Sequence, residues 1–160
     1  LNSFENSRPL CFGHGDLCFN NILVEPVSIS VKLIDPKASK KSSSGKIGLM
    51  DPLYDLAKLN HSFCCLYDSI VNNLFIFEQE QNNIEFYVVK SPNYDVASFY
   101  FKKIFGKYFT EPKNLRLITA SLFLSMLPLH KENNNRVAAL SIIGICLFHN
   151  IDIRKFLFKI

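Results

Sequence analysis

Residues 13–21 read Gly13-His14-Gly15-Asp16-Leu17-Cys18-Phe19-Asn20-Asn21, and two short β-prone runs follow, Ile22 to Glu25 and Val31 to Ile34, with Asp35 next in line. Pro26 and Ser28 lie between the runs, so the pair reads as a hairpin. His14-Gly15-Asp16 is then a loop just before the first strand. Asn21 begins that strand and Asp35 closes the second, with the midpoint of the fold-back at residue 28. In an antiparallel pair this sets the Asn21 amide oxygen beside the Asp35 carboxylate, with Asp16 close by in the preceding loop. Two carboxylates and an amide oxygen are hard ligands. They suit Mg²⁺, which prefers oxygen and completes its shell with water and phosphates.

Outward from this stretch the pattern turns helical. Ser39 to Lys46 (SKKSSSGK) is a low-complexity segment and reads as a mobile loop. Asp51-Pro52 opens a helix, because Asp accepts from free backbone N–H groups and Pro fits the first helical position. Leu56, Leu59, Phe63 and Tyr67 recur behind it at helical spacing, and Ile70 to Gln79 reads as a helical continuation. Cys64 and Cys65 fall in that helix. Ile84 to Val89 is a strand ended by Pro92. Asp95 to Tyr108 is an amphipathic helix with apolar residues at Val96, Phe99, Tyr100, Ile104 and Tyr108. Pro112 opens another, to about Leu127. Asn133 to Asn135 is a polar break. Val137 to His149 is a last helix, apolar on nearly every side and therefore central. The fold class is α+β, mainly α, in one domain without a linker: residues 10–60 carry the loop, hairpin and helix start, and residues 61–160 a helical subdomain.

Composition narrows the function classes. With 160 residues and 48% hydrophobic content the chain can bury a sizeable core, which excludes global disorder. Eighteen Lys and Arg against 14 Asp and Glu give a net charge of +4, too weak and dispersed for a nucleic-acid protein. The 15 Phe and 6 Tyr point to a packed interior. Five cysteines without a CxxC pair argue against a disulfide scaffold or zinc ribbon, and for reduced thiols in the cytoplasm. The longest apolar-leaning stretch, Val137 to Phe148, has 12 residues. A membrane span needs roughly 18 or more.

The ordered elements resemble the catalytic core of the aminoglycoside phosphotransferase and choline kinase family, small-molecule relatives of the protein kinases. That family's catalytic loop reads H-G-D, four residues, then N, as His14-Gly15-Asp16 and Asn21 do here. An apolar hairpin ending in Ile-Asp follows, and Ile34-Asp35 fits, 14 residues after Asn21. A Tyr-Asp-Leu-Ala element at a helix start is matched by Tyr54-Asp55-Leu56-Ala57. The resemblance covers residues 11–60. It implies the C-terminal lobe of a protein-kinase-like phosphotransferase, a catalytic hairpin packed on a helical bundle. By the same resemblance Asp16 is the catalytic base, and Asn21 and Asp35 hold the Mg²⁺ that bridges the phosphates of ATP. His14 braces the loop, and Asp55 supports it by hydrogen bonding. The helices after Asp55 would line a pocket for a small-molecule hydroxyl acceptor: a sugar, amino-sugar or amino-alcohol.

Two departures stand out. Pro36-Lys37 follows Asp35 where the family commonly has an aromatic residue. Asp-Pro with a basic residue, then Asp-Pro-x-Tyr-Asp-Leu-Ala-Lys-Leu, resembles the subgroup associated with bacterial surface-polysaccharide genes. Only ten residues precede Cys11, so the N-terminal lobe that covers the nucleotide is expected in a longer, full-length protein. Lys37, Lys40, Lys41 and Lys46 read either as a solvated loop or as an attractant for a phosphorylated substrate, with Lys37 the best placed for nucleotide binding. Cys18 reads as a small filler. The rival from another class is a truncated, non-catalytic kinase-like remnant or interaction module. A weaker third reading is a membrane-surface protein using the loop lysines.

Overall fold

Asp51 and Pro52 start a helix as their chemistry dictates. The Asp51 Oδ1 accepts from the Leu53 N–H at 2.8 Å, and Pro52 spends no donor at the first helical position. This helix is α1 (Pro52–Phe63), which buries Leu53, Ala57 and Leu59. The computed structural model describes residues 9–37, 48–81, 83–106 and 112–158. The expected loop Ser39 to Lys46, with Lys40, Lys41 and Lys46, lies outside these residues, as do most of the opening segment and Tyr108. The class is α+β and mainly helical. The chain divides into two compact units, Leu1–Leu59 and Asn60–Ile160.

In the first unit β1 (Cys11–Phe12) pairs antiparallel with β4 (Leu49–Met50), Cys11 opposite Met50. Between them β2 (Ile22–Glu25) and β3 (Ser30–Leu33) form the expected hairpin, Ile22 opposite Leu33 and Glu25 opposite Ser30. The Glu25 carboxylate closes the turn by accepting from the Val27 and Ser28 N–H groups and from the Ser28 hydroxyl. The register corrects one expectation. The Ile34 N–H donates to the Asn21 carbonyl at 3.0 Å, so Ile34, and not Asp35, stands opposite Asn21. A one-residue offset in an extended strand would put Asp35 on the other face. Asp35 instead has φ 54°, which breaks the alternation at that position.

The second unit departs further from the expected helix through Gln79. α1 stops at Phe63, and Cys64 and Cys65 lie buried in the turn that follows, not in a helix. Leu66 takes φ 67°, which no helix interior accepts, and Tyr67 therefore begins a separate helix, α2 (Tyr67–Val71). Asn73 has φ 58° and reverses the chain into β5 (Phe75–Glu80). β5 pairs antiparallel with β6 (Asn83–Val89), and β7 (Leu157–Phe158) joins parallel, Leu157 opposite Val88. Three α-helices follow β6 among the described residues of the unit: α3 (Tyr94–Phe105), α4 (Pro112–Met126) and α5 (Asn134–Phe148). The Asn133 side chain caps α5 by accepting from the Arg136 N–H.

α5 is central on one side only. Ala139, Leu140, Ile143, Gly144, Cys146 and Leu147 are buried, whereas Ile145 and Phe148 are exposed. It packs on α4, where Gly144 meets Phe123 and Leu124 too closely for a side chain to be added without movement. Arg116 of α4 donates to the Leu147 and Phe148 carbonyls and so satisfies the end of α5. His61 is buried between the Tyr67 and Phe123 rings, at 3.9 and 4.3 Å between centroids. Among the described residues no helix is long and apolar enough to cross a membrane.

Candidate active site

The loop between β1 and β2 is held in shape by its own backbone and by α1. Gly15 has φ 79°, a conformation that glycine adopts without strain, and it turns the chain at Asp16. Asp55, in the first turn of α1, accepts from the His14 N–H at 2.6 Å and from the Gly15 N–H at 2.8 Å. The buried His14 ring donates from Nε2 to the Ile34 carbonyl at 2.8 Å, while its Nδ1 accepts from the Asp16 N–H at 3.3 Å. His14 therefore ties the loop to the end of the hairpin. The Lys37 N–H closes the same junction on the His14 carbonyl at 2.7 Å.

Asp16 is the hub of the side chains. Its carboxylate is 14% exposed and meets two ammonium groups. Lys37 Nζ lies 2.5 Å from Oδ2, and Lys58 Nζ lies 2.9 Å from Oδ1. Buried Asn21 donates from Nδ2 to the Asp16 carbonyl at 2.7 Å and to Oδ2 at 3.3 Å. Asp35 is drawn in through Lys37, whose ammonium is 3.8 Å from its Oδ2. The structure thus brings Asp16, Asn21, Asp35 and Lys37 into one cluster, with His14 and Asp55 beneath it.

Lys58 is the member that the sequence reading missed. It follows Asp55 by three residues on α1, so the two share a helix face. Once Asp55 was read as supporting the loop, that spacing was the signal that would have found it.

Burial pushes the Asp16 carboxyl up, but the hydrogen bonds and charges of Lys37 and Lys58 outweigh it and hold the group below the usual carboxylate range. The Asp16 contact in turn raises the Lys37 ammonium. The sign of the linkage follows. A depressed carboxyl adds stability at pH above its ordinary value of 3.8, and that stability is lost as the pH falls through the lower, folded value. Lys58→Met is therefore expected to cost about 1–3 kcal/mol near neutral pH. The difference from wild type should close in acid. Urea midpoints across pH check this, and a gap that persists below the folded value would contradict it.

Among the described residues no three His, Cys, Asp or Glu side chains gather as a metal-binding group. Of the cluster's hard donors, both Asp16 carboxylate oxygens are held by lysines, which leaves one amide, Asn21, and one carboxylate, Asp35, for a metal. Asn21 spends its Nδ2 on Asp16, which leaves Oδ1 as its ligating atom. The Asp35 carboxylate is 65% exposed. Two such oxygens fit Mg²⁺, which takes the rest of its shell from water and phosphate. Three of the five thiols do not fit a nucleophile: burial pushes Cys64 and Cys65 up, and Cys18 is buried. Compared with protein-family models, with curated proteins and with solved structures, the chain matches none.

Proposed function

We propose that the chain carries the catalytic loop and metal-holding hairpin of a phosphotransferase that uses ATP and Mg²⁺ to phosphorylate a hydroxyl of a small molecule, a sugar, amino-sugar or amino-alcohol. One observation carries the reading: the Asp16 carboxylate is fixed in a braced loop, next to the Asn21 amide and joined through Lys37 to Asp35. Asp16 would accept the proton of the attacking hydroxyl. Asn21 and Asp35 would hold the metal, which when bound neutralises charge on the phosphates. Asp55 and His14 keep the loop in place, so that Asp16 needs little reorganisation before it acts.

A second reading, a non-catalytic interaction module, is favoured by the hairpin surface. Val27 is 91% and Ile29 79% exposed, beside exposed Val24, Val31 and Leu33. Asp35→Ala in the full-length protein separates the two. An enzyme loses Mg²⁺-dependent ADP formation with a hydroxyl acceptor while its circular dichroism stays unchanged. Unchanged turnover in the variant would sink the assignment of Asp35. Wild type without turnover over the acceptor panel would favour the module.

A further inference from the structure

Both lysines hold the same carboxylate, but they differ in how easily they can leave it. Lys58 is 12% exposed and anchored on α1, whereas Lys37 is 59% exposed. The Lys37 ammonium also reaches toward Asp35, so one positive charge spans the loop carboxylate and the metal-side carboxylate. A divalent ion on the Asp35 oxygen would lie within a few ångströms of that ammonium, well inside the screening length of physiological salt. The two cations compete for the same negative charge.

We propose that Lys37 is a built-in counter-ion of the Asp16–Asp35 pair, one that a divalent cation must displace, and that it thereby sets the cation concentration at which the site fills. This rests on the reading of Asn21 and Asp35 as metal ligands. It makes Lys37 a positioning residue that acts through the two carboxylates.

The test is Mn²⁺ binding to the full-length protein without nucleotide, with free Mn²⁺ counted by electron paramagnetic resonance. Lys37→Met is expected to tighten binding about three- to tenfold. Lys32→Met removes the same charge from an exposed position on β3 and should stay within about 1.5-fold of wild type. Asp35→Ala should lose binding in either background. Binding that depends on Asp35 but is unchanged or weaker in Lys37→Met overturns the counter-ion and leaves the metal reading standing. Equal tightening by Lys32→Met also overturns it, since bulk charge would then explain the effect. If folded wild type and Lys37→Met both bind no Mn²⁺, the counter-ion is overturned, since no cation then competes with Lys37 in the absence of phosphate; if Asp35→Ala binds as well as wild type, the metal reading fails and the counter-ion falls with it.

Discussion

Asp16→Asn is expected to slow phosphoryl transfer by about 10²–10⁴-fold, the usual worth of a positioned general base. The substitution keeps the shape of the side chain, and its oxygen can still accept from one lysine. What it loses is the capacity to take a proton from the acceptor hydroxyl. The loss should appear in kcat, with the KM for ATP little changed, because nothing in the assigned role has Asp16 bind the nucleotide. Two lysines on one carboxylate make Asp16 a weak base as it stands, since both stabilise its ionised form. Departure of Lys37 would free Oδ2, the oxygen shared with Asn21, and leave Lys58 holding Oδ1. Steady-state kinetics of the two proteins checks the prediction. A variant within about threefold of wild type would remove Asp16 from the chemistry.

Asp55→Ala is expected to cost the most stability of any single change at the site, about 3 kcal/mol, since two backbone N–H groups lose a charged acceptor. Both donors belong to the loop that presents Asp16, and His14 is itself buried. Asp55→Asn should fall between. The two N–H groups use different carboxylate oxygens, so one of them keeps an oxygen in place and the other meets the NH₂. Urea denaturation, at unchanged slope, measures the loss. If Asp55→Ala unfolds at the wild-type midpoint, the loop does not depend on α1.

The hairpin was legible because its turn residues and apolar runs are local signals, and the helix start at Asp51-Pro52 for the same reason. Its register was not. A shift of one residue changes no composition, and the register is read from the ladder, where Ile22 stands opposite Leu33 and the Ile34 N–H donates to the Asn21 carbonyl. The segment from Ile70 to Gln79, read as helix, misled beyond Val71 because short apolar runs suit either period. The deciding residues were Leu66 and Asn73, both at positive φ. Asn tolerates that conformation and was a readable warning, whereas Leu seldom adopts it and gave none. At the candidate site, Asp16, Asn21 and Asp35, to which the proposal gives the chemistry, could be named from their spacing, but the cations could not be ranked. Lys37 stood out only as the loop lysine nearest Asp35. Lys58 was hidden in an ordinary helical pattern, although a carboxylate one turn back marked its face.

The most direct measurement of the central claim is transfer of labelled γ-phosphoryl from ATP to a pool of small hydroxyl compounds by the full-length protein, read by mass spectrometry. The account predicts a phosphorylated product that requires Mg²⁺ and is lost in Asp16→Asn. A product formed equally by wild type and Asp16→Asn, or none from folded wild type with Mg²⁺ and ATP across sugars, amino-sugars and amino-alcohols, would contradict it.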